Sequence, residues 1–212
     1  MNVKDCDAEE TLKDIRNLDE KATSTEVKEF YDKWSHRYDE DCIQLGWYGP
    51  KHVAVGLSKL VPGKNARILD CAAGTGLVGQ ELKRLGYERI DALDISLEIL
   101  DKAREKLIYE NVICAKLGPD PIAGIHEDSY DAVVCSGAFG IGHLDDGCFL
   151  EWIRILKKGG VICIAANVDD KQAIEGPVLS DLLENGSLEL IQKCHLNTYV
   201  KNLKGTYYAF KK

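Results

Sequence analysis

The chain has 212 residues, a formal net charge of −8 at pH 7, and a composition that is 45% hydrophobic and 29% charged. This length suits one α/β domain with a small appendage, and the composition is ordinary for a soluble globular protein. Because no basic block offsets the acidic charge, nucleic acid is not expected as the main partner.

Residues 1–24 are polar and charged, with weak helical spacing, and we expect them to be partly disordered. They lack the apolar run of a secretory signal, and no run of about 18 apolar residues occurs along the chain. The eight cysteines form no C-x-x-C pair and no Cys/His cluster with zinc spacing. The sequence therefore predicts a soluble, cytoplasmic protein that contacts no membrane and holds no metal.

An amphipathic helix is predicted from Thr25 onward, because apolar residues recur at intervals of three and four: Val27, Phe30, Tyr31, Trp34 and Tyr38. A turn over 47–50 and a second helix over 52–60 follow, and Pro62-Gly63 ends that helix. We interpret residues 25–63 as a helical cap on a core over 64–212, the two forming one domain over 25–212.

The remainder of the chain alternates short apolar strands with helices. The predicted strands cover 66–71, 89–94, 111–115, 130–136, 160–166, 188–196 and 205–211, and the predicted helices cover 76–85, 96–107, 147–156 and 172–184. This alternation indicates βαβ units and a parallel sheet. The last two strands leave no room for a helix between them, so we expect an antiparallel hairpin at the sheet edge. The predicted fold is α/β, with a seven-stranded, mostly parallel sheet and helices on both faces.

The first core strand runs into a glycine-rich turn and then a helix. Ile68 and Leu69 suit a buried strand, while Gly74 and Gly76 let the backbone approach a ligand without a Cβ in the way. The helix behind this turn offers free N–H groups to a polar or anionic group. The sequence therefore predicts a site for a nucleotide-like cofactor.

The second core strand ends at Asp94, 18 residues beyond Gly76. A carboxylate at this place accepts hydrogen bonds from both ribose hydroxyls of a nucleotide. The alternative role for Asp94 is to cap the next helix, which Ser96 can do equally well. We favour the ribose role.

The identity of the cofactor depends on Asp70, since Gly74, Gly76 and Gly79 also satisfy the G-x-G-x-x-G motif of NAD(P)-dependent oxidoreductases. Asp70 ends the first strand, where a carboxylate repels a diphosphate and attracts a cationic amino group. About 65 residues precede this strand, and the chain has no separate substrate domain. These features favour S-adenosylmethionine, whose methionine half carries such an amino group, and leave an oxidoreductase as the lesser alternative.

Several tracts together resemble the class I S-adenosylmethionine-dependent methyltransferases. ILDCAAGTG over 68–76 is similar to the family's first motif, with Ala72 where a glycine is usual. Further similarity lies in YDAVVCS over 130–136, LKKGG over 156–160, FYDKWSHRYDED over 30–41 and GWYGPKHVA over 46–54. Among subfamilies, the chain most resembles the methyltransferase-like proteins associated with the Williams–Beuren syndrome region. The resemblance implies a Rossmann-like fold and S-adenosyl-L-methionine as cofactor.

Together the residue patterns and the resemblance give a set of cofactor-binding residues: Tyr31, Tyr38, Asp70, Ala72, Gly74, Thr75, Gly76, Asp94, Ile95, Ala115, Leu117 and Ser136. Lys116 stands near the place where the family often has an acidic residue for adenine. Adenine is then held either by backbone groups and apolar packing from Ala115 and Leu117 or by Asp120 as a substitute. The extra methyl of Ala72 is expected to narrow the pocket around the methionine portion.

No catalytic residue is assigned from the sequence. Methyl transfer needs a general base only if the acceptor must lose a proton. His143 is a candidate for that role or for a structural hydrogen bond, and His36 and His52 are weaker candidates. The terminal tyrosines, Tyr199, Tyr207 and Tyr208, are expected only to pack in the hairpin. The acidic tracts 39–41 and 145–146 lack metal-ligand spacing and are expected to be solvated.

The predicted function is transfer of a methyl group from S-adenosylmethionine to a small molecule, with a protein substrate left open. We expect a monomer or a weak homodimer. An alternative from another class is an S-adenosylmethionine-binding module without catalysis of its own, acting as a regulatory or interaction protein.

Overall fold

The computed structural model describes residues 23–140, 142–201 and 203–212. Apart from its last two residues, the segment 1–24 with its predicted disorder lies outside the described residues. Three helices come first, namely α1 (Ser24–Trp34), α2 (Tyr38–Gln44) and α3 (Gly49–Leu60). The alternating part follows as β1 (Ile68–Cys71), α4 (Leu77–Arg84), β2 (Ile90–Asp94), α5 (Leu97–Glu105), β3 (Asn111–Cys114), β4 (Tyr130–Ser136), α6 (Cys148–Ile155) and β5 (Leu156–Asn167). A 3₁₀ turn (Val168–Asp170), α7 (Lys171–Ile174), α8 (Pro177–Glu184), β6 (Glu189–Val200) and β7 (Leu203–Lys211) complete the chain.

The seven strands form one sheet in the order β3-β2-β1-β4-β5-β7-β6. The first five strands are parallel, and β7 lies antiparallel between β5 and β6. This confirms the predicted α/β class and the antiparallel terminal strands. The strand order reverses between β1 and β4, and in such sheets ligands bind beyond the carboxyl ends of the strands at this reversal.

Both faces of the sheet are covered by apolar side chains. On one face Leu69 and Cys71 of β1 pack in a cluster with Trp152 of α6. On the other face Ile68 packs with Leu57 of α3 and Leu82 of α4. Successive side chains of a strand point to opposite faces, so β1 contributes to both cores. Among the described residues, no helix is long and apolar enough to cross a membrane.

Two predicted helices are divided in the structure. The segment 172–184 holds α7 and α8, separated at Gly176-Pro177. Proline has no N–H to continue the hydrogen-bond ladder of a helix and is favoured at the start of one, which is where Pro177 stands. The aromatic face predicted to run to Tyr38 ends with α1 at Trp34, and Tyr38 opens α2.

The acidic tract 39–41 is not a solvated face, contrary to the sequence expectation. Asp41 is buried and accepts a hydrogen bond of 2.7 Å from Trp34 Nε1. Asp39 accepts a hydrogen bond of 2.5 Å from Thr75 Oγ1 and forms an ion pair of 2.6 Å with Lys106 Nζ. The tract therefore joins α1 to α2 and joins both to the core, which spacing along the sequence does not reveal.

Gly56 lies inside α3, where alanine ordinarily stabilises a helix by about 1 kcal/mol. Here a Cβ at Gly56 would overlap the ring of Tyr207 on β7. We therefore expect Gly56→Ala to lower the free energy of unfolding by about 1–3 kcal/mol, measured by denaturant titration. Gly63→Ala is the matched control, because no atom lies within 4 Å of its Cβ position. Equal stability of the two variants would contradict this packing.

Candidate cofactor and acceptor site

Two adjoining cavities lie beyond the carboxyl ends of β1 and β4. The first cavity contains about 980 Å³ of free space, including solvent at its mouth, and the second about 1430 Å³ by the same measure. Five residues line both cavities: Tyr31, Tyr38, Trp47, Gly137 and His143. The two cavities therefore meet at these five residues.

Nine of the twelve residues predicted to bind the cofactor line the first cavity: Tyr31, Tyr38, Ala72, Gly74, Asp94, Ile95, Ala115, Leu117 and Ser136. Asp70, Thr75 and Gly76 do not line it. Residues that are up to 105 positions apart in the chain, from Tyr31 to Ser136, thus come together around one space.

Asp94 holds the glycine turn in place from the end of β2. Its Oδ2 accepts a hydrogen bond of 3.0 Å from the Gly74 amide, and its Oδ1 accepts one of 3.0 Å from the Ser96 amide. Ser96 caps α5, since its Oγ accepts a hydrogen bond from the Ile99 amide. The capping role is therefore filled by Ser96. A carboxylate offers about four acceptor sites, so Asp94 retains acceptor capacity toward the cavity.

Burial raises the pKa of Asp94, although the amides of Ser96 and Gly74 oppose the shift. A carboxylate in this situation gains from further donors that replace lost water. A ribose diol bound in the first cavity would supply two such donors.

The turn between β1 and α4 has a left-handed backbone at Ala72, with φ of +51°. Side chains other than glycine rarely adopt this conformation, because the Cβ approaches the following carbonyl oxygen. Ala72 stands where the resembling family usually has glycine. The departure from the motif thus places a methyl group both in a strained backbone and on the wall of the first cavity.

Asp70 lies beneath the glycine turn, on the sheet face that α4 covers. It is fully buried, and its Oδ2 accepts hydrogen bonds of 2.6 Å from Tyr109 Oη and 3.1 Å from the Gly79 amide. Its Oδ1 has no hydrogen-bond partner among the described residues. Burial raises the pKa of Asp70 to about 7, with the two hydrogen bonds opposing the shift. The carboxylate thus joins α4 and Tyr109 to β1. Asp70 does not line the first cavity, and its contact with a cationic amino group stays a prediction.

Thr75 and Gly76 serve contacts within the protein. Thr75 binds Asp39 of α2, and the Gly76 amide donates to the Ala73 carbonyl. The Tyr109 ring lies only 2.9 Å from where a Cβ of Gly76 would stand, and it also fills the space beside Gly79. The absence of side chains at these two glycines leaves room for Tyr109 of the α5–β3 loop. The spacing of the glycine motif does not indicate this packing.

The residues after β3 distinguish between the two alternatives for holding adenine. Ala115, Lys116 and Leu117 line the first cavity, whereas Asp120 is exposed and lies outside its lining. The geometry favours the apolar alternative of Ala115 and Leu117 over substitution by Asp120.

Ser136 supports the presence of a ligand in the first cavity. It ends β4, is 6% exposed, and its Oγ has no hydrogen-bond partner of good geometry among the described residues, although the Tyr199 hydroxyl lies near it. A buried hydroxyl without a partner is costly, so a polar ligand group that reaches it gains affinity. The residues therefore fit a cofactor with a polar end near β4, a ribose near β2 and an apolar base near β3.

The second cavity is walled by aromatic rings. The ring centroids of Tyr31 and Tyr38 are 6.2 Å apart, those of Tyr38 and Trp47 are 6.2 Å apart, and those of Trp47 and Tyr199 are 6.4 Å apart. His143 lies beside this wall, with Nε2 3.2 Å from Tyr31 Oη. His143 thus lies where the two cavities meet, which is the position that a general base for the acceptor needs.

Trp47 and Tyr199 were missed as site residues by the sequence reading. Trp47 pairs with Val200 in an isolated bridge, and the Tyr48 amide donates to the Tyr199 carbonyl at 2.8 Å. A Cβ on Gly137 would lie 2.8 Å from the Trp47 ring. The close packing of the segment before α3 against β6 is a long-range contact without a local signal.

The weaker histidine candidates lie away from both cavities. His52 Nε2 is 3.0 Å from the Thr198 carbonyl, which joins α3 to β6, and His36 is exposed. Within the described ranges, no group of three or more His, Cys, Asp or Glu residues has an arrangement suited to a metal ion.

Comparison with known proteins identifies the family. Residues 68–160 match the model of a methyltransferase domain. Methyltransferase-like protein 27 of Homo sapiens is 31% identical over 166 residues, which are 75% of this chain and 66% of the human protein. The chain belongs to the class I S-adenosylmethionine-dependent methyltransferases. The cofactor of this enzyme family is S-adenosyl-L-methionine, as predicted.

Other relatives extend the comparison. The N-terminal Xaa-Pro-Lys N-methyltransferase 1 of Danio rerio is 32% identical over 126 residues, which are 54% of this chain and 51% of that protein. The chain thus spans 66% and 51% of the lengths of these two curated relatives. The crystal structure of the [4+2]-cyclase SpnF superposes with a TM-score of 0.64 over 90% of this chain and 96% of that one. At 13% identity, this last likeness shows the fold alone.

The strain at Ala72 gives a stability prediction. Ala72→Gly removes the Cβ from a left-handed position, so we expect the free energy of unfolding to rise by up to about 1 kcal/mol. Ala115→Gly is the control, since Ala115 lines the same cavity without a positive φ. Denaturant unfolding should show this control to be unchanged or less stable. Destabilisation by both substitutions alike would contradict strain at Ala72.

The raised pKa of Asp70 gives a pH prediction. The native state binds the carboxyl proton more tightly than the unfolded chain, so this group lowers stability as pH rises from about 4 to about 7. Asp70→Asn keeps an acceptor toward Tyr109 and Gly79 and removes the titration. Unfolding titrations at pH 5 and pH 7.5 should show a smaller loss of stability in the variant than in the wild type. The same loss in both proteins would contradict the assignment.

Proposed function

We propose that this chain transfers a methyl group from S-adenosyl-L-methionine, bound in the first cavity, to a small molecule bound in the second cavity. The observation that carries the proposal is the common boundary of the two cavities, formed by Tyr31, Tyr38, Trp47, Gly137 and His143. Direct transfer requires the donor methyl group and the acceptor atom to meet at this boundary, and the shared lining places the two cavities side by side there.

Each part of the first cavity has a partner in the cofactor. Asp94 accepts from the ribose hydroxyls, and Ala115 with Leu117 packs on the adenine. The turn over 72–74 and the Ser136 hydroxyl meet the methionine end. When bound, the cofactor supplies an activated methyl group, which passes to a lone pair of the acceptor as the carbon–sulfur bond breaks and S-adenosylhomocysteine forms.

The chain's own contribution is positioning, exclusion of water and movement of a proton. Helices α1 and α2 bring Tyr31 and Tyr38 over both cavities, so aromatic side chains stand where water would otherwise reach the reacting atoms. His143 is the proposed proton acceptor where the substrate needs one, because it lines both cavities. The Tyr31 hydroxyl lies 3.2 Å from Nε2 of His143 and holds the imidazole ring in place.

A small acceptor is favoured because the second cavity is bounded on one side by α1 and α2 and on another by β6. A protein substrate is the alternative, supported by the likeness to the N-terminal Xaa-Pro-Lys N-methyltransferase 1 of Danio rerio. We propose a monomer or a weak homodimer as the working form. We place it in the cytoplasm, where free thiols such as the seven described cysteines are stable.

Binding of the cofactor without methyl transfer is the second candidate. A structure with this fold is that of a [4+2]-cyclase, so the fold by itself does not fix the reaction. Cofactor uptake and turnover must therefore be measured separately.

The test of cofactor binding is Asp94→Asn. An asparagine places an NH₂ group against the amide of Gly74 or Ser96, and it also loses the negative charge offered to the ribose hydroxyls. We expect the affinity for S-adenosylhomocysteine, measured by calorimetry, to fall at least about tenfold. Asp101→Asn, on the exposed face of α5 beside Arg104, should bind as the wild type does.

Binding of NAD or NADP in place of S-adenosylhomocysteine would overturn the proposal. Thermal unfolding without ligand checks that both variants are folded. Uptake of S-adenosylhomocysteine without turnover of any acceptor would favour the cofactor-binding module.

A further inference from the structure

The second cavity has an unusual combination of aromatic rings and carboxylates. Its aromatic lining consists of Tyr31, Trp34, Tyr38, Trp47, Phe139, His143 and Tyr199. Asp169 and Asp170 also line it, and no lysine or arginine occurs among the described residues of the lining. The cavity therefore presents negative charge and π-electron faces without a balancing cation in its wall.

The ring geometry makes this wall continuous. The planes of Tyr38 and Trp47 cross at 87°, and those of Trp47 and Tyr199 cross at 84°. Tyr31 and His143 cross at 88° with centroids 5.7 Å apart. In each of these pairs the edge of one ring meets the face of the other, which joins the rings into one wall. Aromatic faces that such a wall leaves open attract a cation through their quadrupoles, and an ammonium group with apolar substituents also packs on them.

Asp170 adds a fixed charge to this wall. Its Oδ2 accepts a hydrogen bond of 3.1 Å from the Asn167 amide, which holds the carboxylate at the end of β5. Its Oδ1 lies 3.4 Å from where a Cβ of Gly140 would stand, so the carboxylate reaches across to the loop after β4. Burial raises the pKa of Asp170 to about 6, which leaves it ionised at neutral pH and poorly hydrated. Such a carboxylate gains from a cationic partner.

We propose that the second cavity recognises a cationic amine, with the rings of Tyr38, Trp47 and Tyr199 around its ammonium group and Asp170 as its counter-charge. This inference rests on the proposed function, because it names the chemical class of the methyl acceptor in that same site. Acidic acceptors, such as phosphates or carboxylates, are disfavoured by the two carboxylates of the lining.

An ammonium group has no lone pair and must lose one proton before its nitrogen forms a bond to the methyl carbon. His143 lines the second cavity together with Asp170 and is the proposed proton acceptor. The proton passes to His143 and then to solvent, while Asp170 stays ionised as the counter-charge. The methylated amine regains a positive charge as the sulfonium loses its own, so the wall that binds the substrate cation also suits the product.

The experiment uses choline as the probe cation and 3,3-dimethylbutan-1-ol as its neutral isostere. The two have nearly the same shape and differ in charge. Each is titrated by calorimetry into the full chain saturated with S-adenosylhomocysteine. We expect choline to bind at least tenfold more tightly than the neutral alcohol. Equal affinities, or no binding of choline by protein that has taken up S-adenosylhomocysteine, would overturn the inference.

Substitutions then locate the charge. Asp170→Asn should reduce choline affinity at least fivefold and leave the affinity for the neutral alcohol unchanged. Asp181→Asn removes the same charge from an exposed position of α8, outside both cavity linings, and should leave choline binding unchanged. If both variants weaken choline equally, the effect belongs to net charge and the assignment to Asp170 fails. Should Asp170→Asn be unfolded in a thermal scan, the wild-type comparison of choline with its isostere still decides the inference.

The two proposals fail in different ways. Absence of S-adenosylhomocysteine binding ends the proposed function and the inference with it. Normal cofactor binding with equal affinities for the two probes ends only the inference. A methyl-transfer assay then follows with primary and secondary amines paired with their alcohol analogues, in which we expect turnover with the amines alone.

Discussion

The hydrogen bond from the Gly74 amide to the Asp94 carboxylate is the contact on which the site depends. It joins the turn after β1 to the end of β2, so the two elements that meet a nucleotide-like ligand are positioned against each other before any ligand arrives. The left-handed backbone at Ala72 and Gly74 makes this contact possible by turning the chain back over the sheet. Such preorganisation lowers the entropy cost of binding.

The helices α1 and α2 depend on a second set of polar contacts. Asp39 binds Thr75 and Lys106, and Asp41 binds Trp34, so these acids link both helices to the core and to each other. The aromatic rings over the two cavities are placed by these links. The Asp39 carboxylate thus combines one ion pair, to Lys106, with one hydrogen bond, from Thr75. The shape of the second cavity therefore follows from charges that do not themselves line it.

Local patterns in the sequence predicted most of the fold and the larger part of the first cavity. The strand–turn–helix pattern at 68–85 and the acid at the end of β2 lie within about 30 residues of chain. Local sequence patterns are therefore enough to predict them. Trp47 and Tyr199 meet only because two distant segments of the chain pack together. Asp70 faces α4 because successive side chains of a strand point to opposite faces of the sheet. The helix predicted over 172–184 is divided because Pro177 has no N–H for the hydrogen-bond ladder and begins a new helix.

Tyr109 introduces a dependence that reaches beyond the cofactor motif. Its ring occupies the volume left by the absent side chains of Gly76 and Gly79, and its hydroxyl meets Asp70. Tyr109 of the α5–β3 loop, Gly76 at the start of α4 and Gly79 within α4 thus depend on one another sterically. Among homologous chains, a methyl at position 79 is compatible only with a smaller side chain at 109, so these positions are expected to change together during evolution.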